Sequence, residues 1–77
     1  MTTKKEDNQL DDCYQETFRF MNKLLEKYDT QMVAGTMVAQ ALRLYKSSLD
    51  EEGFEKMVET IGESGPNIRP YEKPHIH

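Results

Sequence analysis

Between Gln9 and Asp29 the apolar side chains Leu10, Tyr14, Phe18, Met21, Leu24, Leu25 and Tyr28 recur at intervals of three and four. That period belongs to the α-helix, and at about 100° per residue it gathers these side chains into one greasy arc. Cys13 and Phe20 fall on its flank, while Asp12, Glu16, Arg19, Lys23 and Lys27 take the other side. Asp11 and Asp12 near the start and Lys23 and Lys27 near the end suit the partial charges of the two helix ends. The chain is thereby committed to helix packing. Residues 1–8 show no such period and are expected to form a disordered arm.

Two more helices follow from the same reasoning. Asp29 and Thr30 can accept hydrogen bonds from the unpaired N–H groups of a helix start, and a second helix is expected over Gln31–Lys46. Its main stripe is Ala34, Met37, Val38, Ala41, Leu44 and Tyr45. Gly35 and Ala39, one turn apart, lie on a different side. A glycine inside a helix costs about 1 kcal/mol relative to alanine, and small residues there let another backbone come close, so Gly35 and Ala39 are the candidate self-association positions. Ser48 followed by Glu51 fits a capping box, each side chain accepting from the other residue's N–H. The third helix is then expected over Leu49–Ile61, with Phe54, Met57, Val58 and Ile61 on one side and Gly62 as a left-handed terminator. All three prolines lie beyond it, so residues 64–77 are expected to be extended.

The fold class that follows is all-α: a small three-helix bundle over residues 9–63, helices one and two forming an antiparallel hairpin and helix three packed across them. The alternative fuses helices two and three into one longer bent helix, because Ser47-Ser48 is a softer break than proline or glycine.

A chain of 77 residues can bury only about 60% of its unfolded surface, which leaves hydrophobic stabilisation thin. Cys13 is the single cysteine, so neither an intramolecular disulfide nor a cysteine-built zinc site can supplement it. A protein partner remains, and a second copy is the simplest one: a homo-oligomer, with a dimer favoured. The N-terminus has charge but no apolar run behind it, unlike a secretory signal. The longest nearly apolar segment, Met32–Leu44, is interrupted by Thr36, Gln40 and Arg43 and falls short of the roughly 20 residues that span a bilayer. No membrane association and a cytoplasmic location are expected.

Charge is segregated along the chain. Residues 1–17 hold 5 acids and 2 bases, 18–49 hold 2 and 5, 50–63 hold 6 and 1, and 64–77 hold 1 and 2, for a net charge of -4. That balance disfavours broad phosphate-backbone binding, which draws on neutralised phosphates. A nucleic-acid partner would have to meet Arg19, Lys23, Lys27, Arg43 and Lys46. The aromatics nearby, Phe18, Phe20 and Tyr45, are occupied by apolar stripes. Pairing of these bases with the acidic third helix, within a chain or between copies, is the simpler account.

Catalysis finds little footing. A serine or cysteine nucleophile needs a base held in reach, and both histidines, His75 and His77, lie in the last three residues. Phosphate-cradling glycine loops and metalloprotease helices are missing. No catalytic residue, cofactor or metal is expected: His75-Ile76-His77 has no fixed surroundings to hold an ion, and is read as a solvated tail. Ser48 to Glu59, with Gly53 at the sixth position, mimics the spacing of a calcium loop. Phe54, Met57, Val58 and Ile61 keep helical period across it, so helix is the stronger reading.

Two surfaces are candidates for binding a partner. Glu51, Glu55 and Glu59 repeat like charges at i, i+4, each pair costing a few tenths of a kcal/mol, roughly. With Glu63 they run toward the negative end of helix three. Glu55, Glu59 and Glu63 either form a solvated face or recognise a basic surface. In the tail, Ile68, Pro70 and Tyr71 sit in a proline-stiffened frame suited to docking in a groove, or else pack back over the helices. The expected function is a non-enzymatic interaction module that self-associates and docks on a larger complex. An acidic inhibitor or regulator occupying a basic site on a nucleic-acid-binding protein is the alternative, and a small helical nucleic-acid binder the weaker one.

Overall fold

A computed structural model describes residues 4–72. It is all-α, as the periodicity predicts: α1 (Lys4–Leu25), α2 (Thr30–Ser48) and α3 (Glu51–Glu63), followed by a short 3-10 turn at Gly65–Asn67, with no strand among the described residues. The chain divides into two units, Met1–Ala41 and Leu42–His77, and the boundary falls inside α2.

Each helix boundary has a local cause. Helix α1 begins at Lys4 rather than Gln9, so the expected arm is helical where it is described; Glu6 and Asp7 in the first turn suit the positive helix end, and nothing from Lys4 to Asn8 breaks a helix. It ends at Leu25, four residues earlier than Asp29, because the hydrogen bonds tighten: Glu26 N–H donates to Lys23 O at 3.3 Å and Lys27 N–H to Leu24 O at 3.0 Å. Asp29 then opens α2. Its Oδ2 accepts from the N–H of Gln31 at 3.0 Å and of Met32 at 3.4 Å, and its carbonyl accepts from Val33 N–H at 3.0 Å, as an N-cap does.

The next boundary differs from the expected one. Ser48 is the last residue of α2, and its Oγ donates back to Leu44 O at 2.9 Å; Ser47 Oγ does the same to Arg43 O at 3.0 Å. Both serines thus belong to the last turn of α2, and Ser48 does not stand at the cap position a capping box requires. The cap of α3 is Asp50, whose Oδ1 accepts from Gly53 N–H at 2.7 Å from an extended backbone (φ -73, ψ 175). A carboxylate at a helix N-terminus gains both the hydrogen bond and the dipole, so it displaces the serine as cap. Helices two and three are separate, and α3 runs unbroken from Glu51 to Glu59 across most of the supposed calcium loop, whose first residues, Ser48 to Asp50, hold the helix break.

Gly62 does not end α3. No glycine among the described residues has a positive φ, and the helix continues to Glu63. Ser64 closes it instead: its N–H reaches Thr60 O at 3.1 Å and Ile61 O at 3.2 Å, and its Oγ donates to Ile61 O at 2.6 Å. Pro66 lacks an N–H and its ring would strike the carbonyl four residues back, so the chain passes into the 3-10 turn. From Ile68 (φ -82, ψ 130) to Glu72 it has neither helix nor strand.

Burial is sparse. In the first unit Val33, at 4% exposure, is the one buried residue of the described chain, and Phe18, Met21, Leu24, Leu25 and Met37 are half-buried on either side of the Glu26–Asp29 turn. In the second, Leu42, Tyr45, Leu49, Phe54 and Met57 are half-buried. Helix α2 therefore buries one side near its start and another near its end. The expected stripe is corrected accordingly: Ala34, Val38, Ala41 and Leu44 are exposed, while Val33 and Leu42, outside that stripe, are covered.

Candidate functional site

The carboxylates singled out from the sequence do share a face. Glu55, Glu59 and Glu63 lie on α3 at intervals of four, which places them in a row along one side, and all three are exposed. Glu51 and Glu52 occupy the first turn, where the dipole accounts for them. The tail positions belong to the same unit: α3 packs against the 3-10 turn, and Ile68, Pro70 and Tyr71 follow it, all exposed. Gly35 and Ala39 lie on α2 in the other unit. A Cβ added at Gly35 would meet nothing within 4 Å, so that side of the helix is open. The candidate residues thus form two surfaces, one acidic with its tail and one small and apolar. His75 and His77 lie outside the described residues.

Two contacts went unread in the sequence. Lys46 places its Nζ 4.7 Å from the centroid of the Phe54 ring, so one of the middle bases is held by an aromatic face of its own unit, a geometry whose attraction comes from the ring quadrupole. Tyr14 and Phe18, four apart on α1, stack with centroids 6.4 Å apart and planes 8° from parallel, which orients the exposed Tyr14 ring along the helix. The spacing of Tyr14 and Phe18 is a readable signal. That of Lys46 and Phe54, across a helix break, is not.

The largest feature is apolar exposure. Leu44 is 72% and Leu10 70% exposed, and Tyr14, Phe20 and Ile68 are also mostly accessible. Scattered apolar side chains on a surface are ordinary; here eleven large ones are exposed, and Val33 is the one apolar side chain fully buried among the described residues. Among the described residues no group of three or more histidine, cysteine or acidic side chains is placed to hold a metal ion. No described helix is long and apolar enough to cross a membrane. No family model, curated protein or solved structure matches the chain.

Proposed function

We propose that this chain is a non-enzymatic interaction module, acting in the cytoplasm, that self-associates and docks on a larger complex. The observation that carries this reading is the scarcity of full burial: among the described residues Val33 alone is fully buried while eleven large apolar side chains are exposed, too little to hold three helices against the conformational entropy of ordering them. A partner's surface supplies the missing burial. Sedimentation velocity across micromolar concentrations, with and without residues 64–77, tests it: the expected result is an assembly larger than one chain, and a stable monomer at every concentration removes the self-association half.

A second reading has its own support in the row of Glu55, Glu59 and Glu63. An exposed line of carboxylates complements a cationic groove, and a chain presenting it acts as an inhibitor or regulator that occupies the basic site of a nucleic-acid-binding protein. Such binding weakens steeply with salt. Changing all three residues to Gln abolishes that salt dependence along with the affinity; unchanged affinity for the captured basic partner refutes the decoy role.

A further inference from the structure

Two lines of side chains run side by side along α1. Leu10, Cys13, Thr17, Phe20 and Leu24 stand at intervals of three, four, three and four, the spacing that keeps one seam in line along a helix paired with another. The first four are exposed and Leu24 is half-buried, while Phe18, Met21 and Leu25, on the neighbouring side, are half-buried. Phe20 keeps 63% of its surface accessible. Along one edge of this seam Asp12, Glu16, Arg19 and Lys23 follow at intervals of four, three and four, all exposed, and none of them is ion-paired with another described residue. Between Leu10 and Leu24 the other edge holds Tyr14 and Met21, neither of them charged.

The charged edge reads acid, acid, base, base. The helix dipole does not account for that order, because its influence fades within a turn of each end and Asp12, Glu16 and Arg19 lie inside those limits in a helix that runs from Lys4 to Leu25. Charges flanking an apolar seam decide which partner covers it and in which direction. A second copy laid parallel sets Asp12 on Asp12, Glu16 on Glu16 and Lys23 on Lys23, which repels. The same copy reversed by a two-fold axis sets the acidic half of the edge against the basic half. The row is its own complement under that reversal alone.

Resting on the self-association reading above, we infer that α1 pairs with α1 of a second copy as an antiparallel coiled coil, its two-fold axis passing between Thr17 and Phe20. Thr17 then faces Phe20 of the second copy, Cys13 faces Leu24 of the second copy, and on each side of the axis a Glu16 stands opposite a Lys23. The two Cys13 thiols end about 16 Å apart along the helices, at about 1.5 Å per residue, too far for a disulfide.

Sedimentation velocity on the full chain at low salt compares wild type with Glu16→Lys, with Lys23→Glu and with the chain carrying both changes. Glutamate and lysine have similar helix propensity, so α1 itself is little altered. The wild-type chain sediments as a dimer. Each single change turns two attractions into two repulsions and raises Kd roughly tenfold, and the double change, which again sets acid against base, returns Kd to near the wild-type value. Thiol chemistry reads the direction independently. Under mild oxidation the wild-type chain gives no disulfide dimer, the Leu24→Cys chain gives one through Cys13, and Leu24→Cys in a Cys13→Ser background gives none. A wild-type disulfide dimer, or a doubly changed chain as weak as the single ones, overturns the antiparallel pairing. A wild-type dimer indifferent to the changes at Glu16 and Lys23 overturns this interface and leaves self-association standing. A wild-type monomer at every concentration overturns both.

Discussion

The cap of α3 offers the sharpest test of the local structure, because two accounts of the same boundary predict opposite outcomes. If Ser48 capped the helix, Ser48→Ala would cost about 1 kcal/mol. In the structure its hydroxyl bonds back to Leu44 O at 2.9 Å inside α2, so Ser48→Ala is neutral or stabilising by up to about 0.5 kcal/mol through helix propensity. Asp50→Ala instead removes the 2.7 Å bond to Gly53 N–H and costs about 1 kcal/mol. In a chain this small that lowers Tm by about 4–8 °C. Gly53 refines the test. A Cβ there would stand 2.8 Å from Asp50 Oδ1, so Gly53→Ala pushes the carboxylate off its hydrogen bond and forfeits the cap while gaining about 1 kcal/mol of propensity. The two effects nearly cancel in the native background. With Asp50→Ala already present there is no cap to lose, and Gly53→Ala gains the full propensity. The double-mutant cycle should therefore show a coupling of about 1 kcal/mol. Urea and thermal unfolding followed by circular dichroism at one fixed protein concentration measure all four chains. Equal stabilisation by Gly53→Ala in both backgrounds, or a larger loss from Ser48→Ala than from Asp50→Ala, refutes the assignment.

Other substitutions probe other links. Gly62→Ala stabilises by about 0.5–1 kcal/mol, since Gly62 has no positive φ and a Cβ there meets nothing within 4 Å; a lower Tm would mean that the residue does terminate α3 after all. Val33→Ala removes about 1.6 kcal/mol of burial and returns about 0.5 kcal/mol of propensity, and its net loss should exceed that of Val38→Ala in denaturant unfolding at concentrations where the chain is monomeric. Lys46→Met keeps the aliphatic stem but removes the charge over the Phe54 ring and costs about 0.5–1 kcal/mol; the same change in a Phe54→Leu background costs nothing, and an equal cost in both backgrounds would show that the ring contact contributes none of it.

Much of the helical content was legible because it depends on short-range spacing. The three- and four-residue intervals of α1 and the acceptor at Asp29 determine where helices one and two form, and both features lie within a few residues of one another. What was misread depends on competition between neighbours. Ser48 and Asp50 both can cap, and the sequence does not rank them; the carboxylate wins because its charge adds the dipole to the hydrogen bond, while the serine hydroxyl finds a carbonyl in the helix behind it. Gly62 can stop a helix but does so only where the chain must turn left-handed, and Pro66 already provides the stop.

The phase of α2 was misread for a different reason, and the error bears on function. A stripe is found by averaging along a helix, which assumes that one side faces the core throughout. Val33 and Met37 define one side and Leu42 and Tyr45 another, so the average points to Ala34, Val38, Ala41 and Leu44, which are exposed. A helix with two covered sides at its two ends carries more apolar residues than either end requires. Near Gly35 the remainder is not masked by charge, because no lysine, arginine, aspartate or glutamate stands between Thr30 and Leu42. The acidic row on α3 and the uncharged face on α2 therefore ask for different partners: the first gains from a cation and weakens with salt, the second gains from exclusion of water and is indifferent to it. Salt added to an assembly of this chain separates the two, dissolving contacts made by Glu55, Glu59 and Glu63 while leaving in place those made through the side of α2 that carries Gly35 and Ala39.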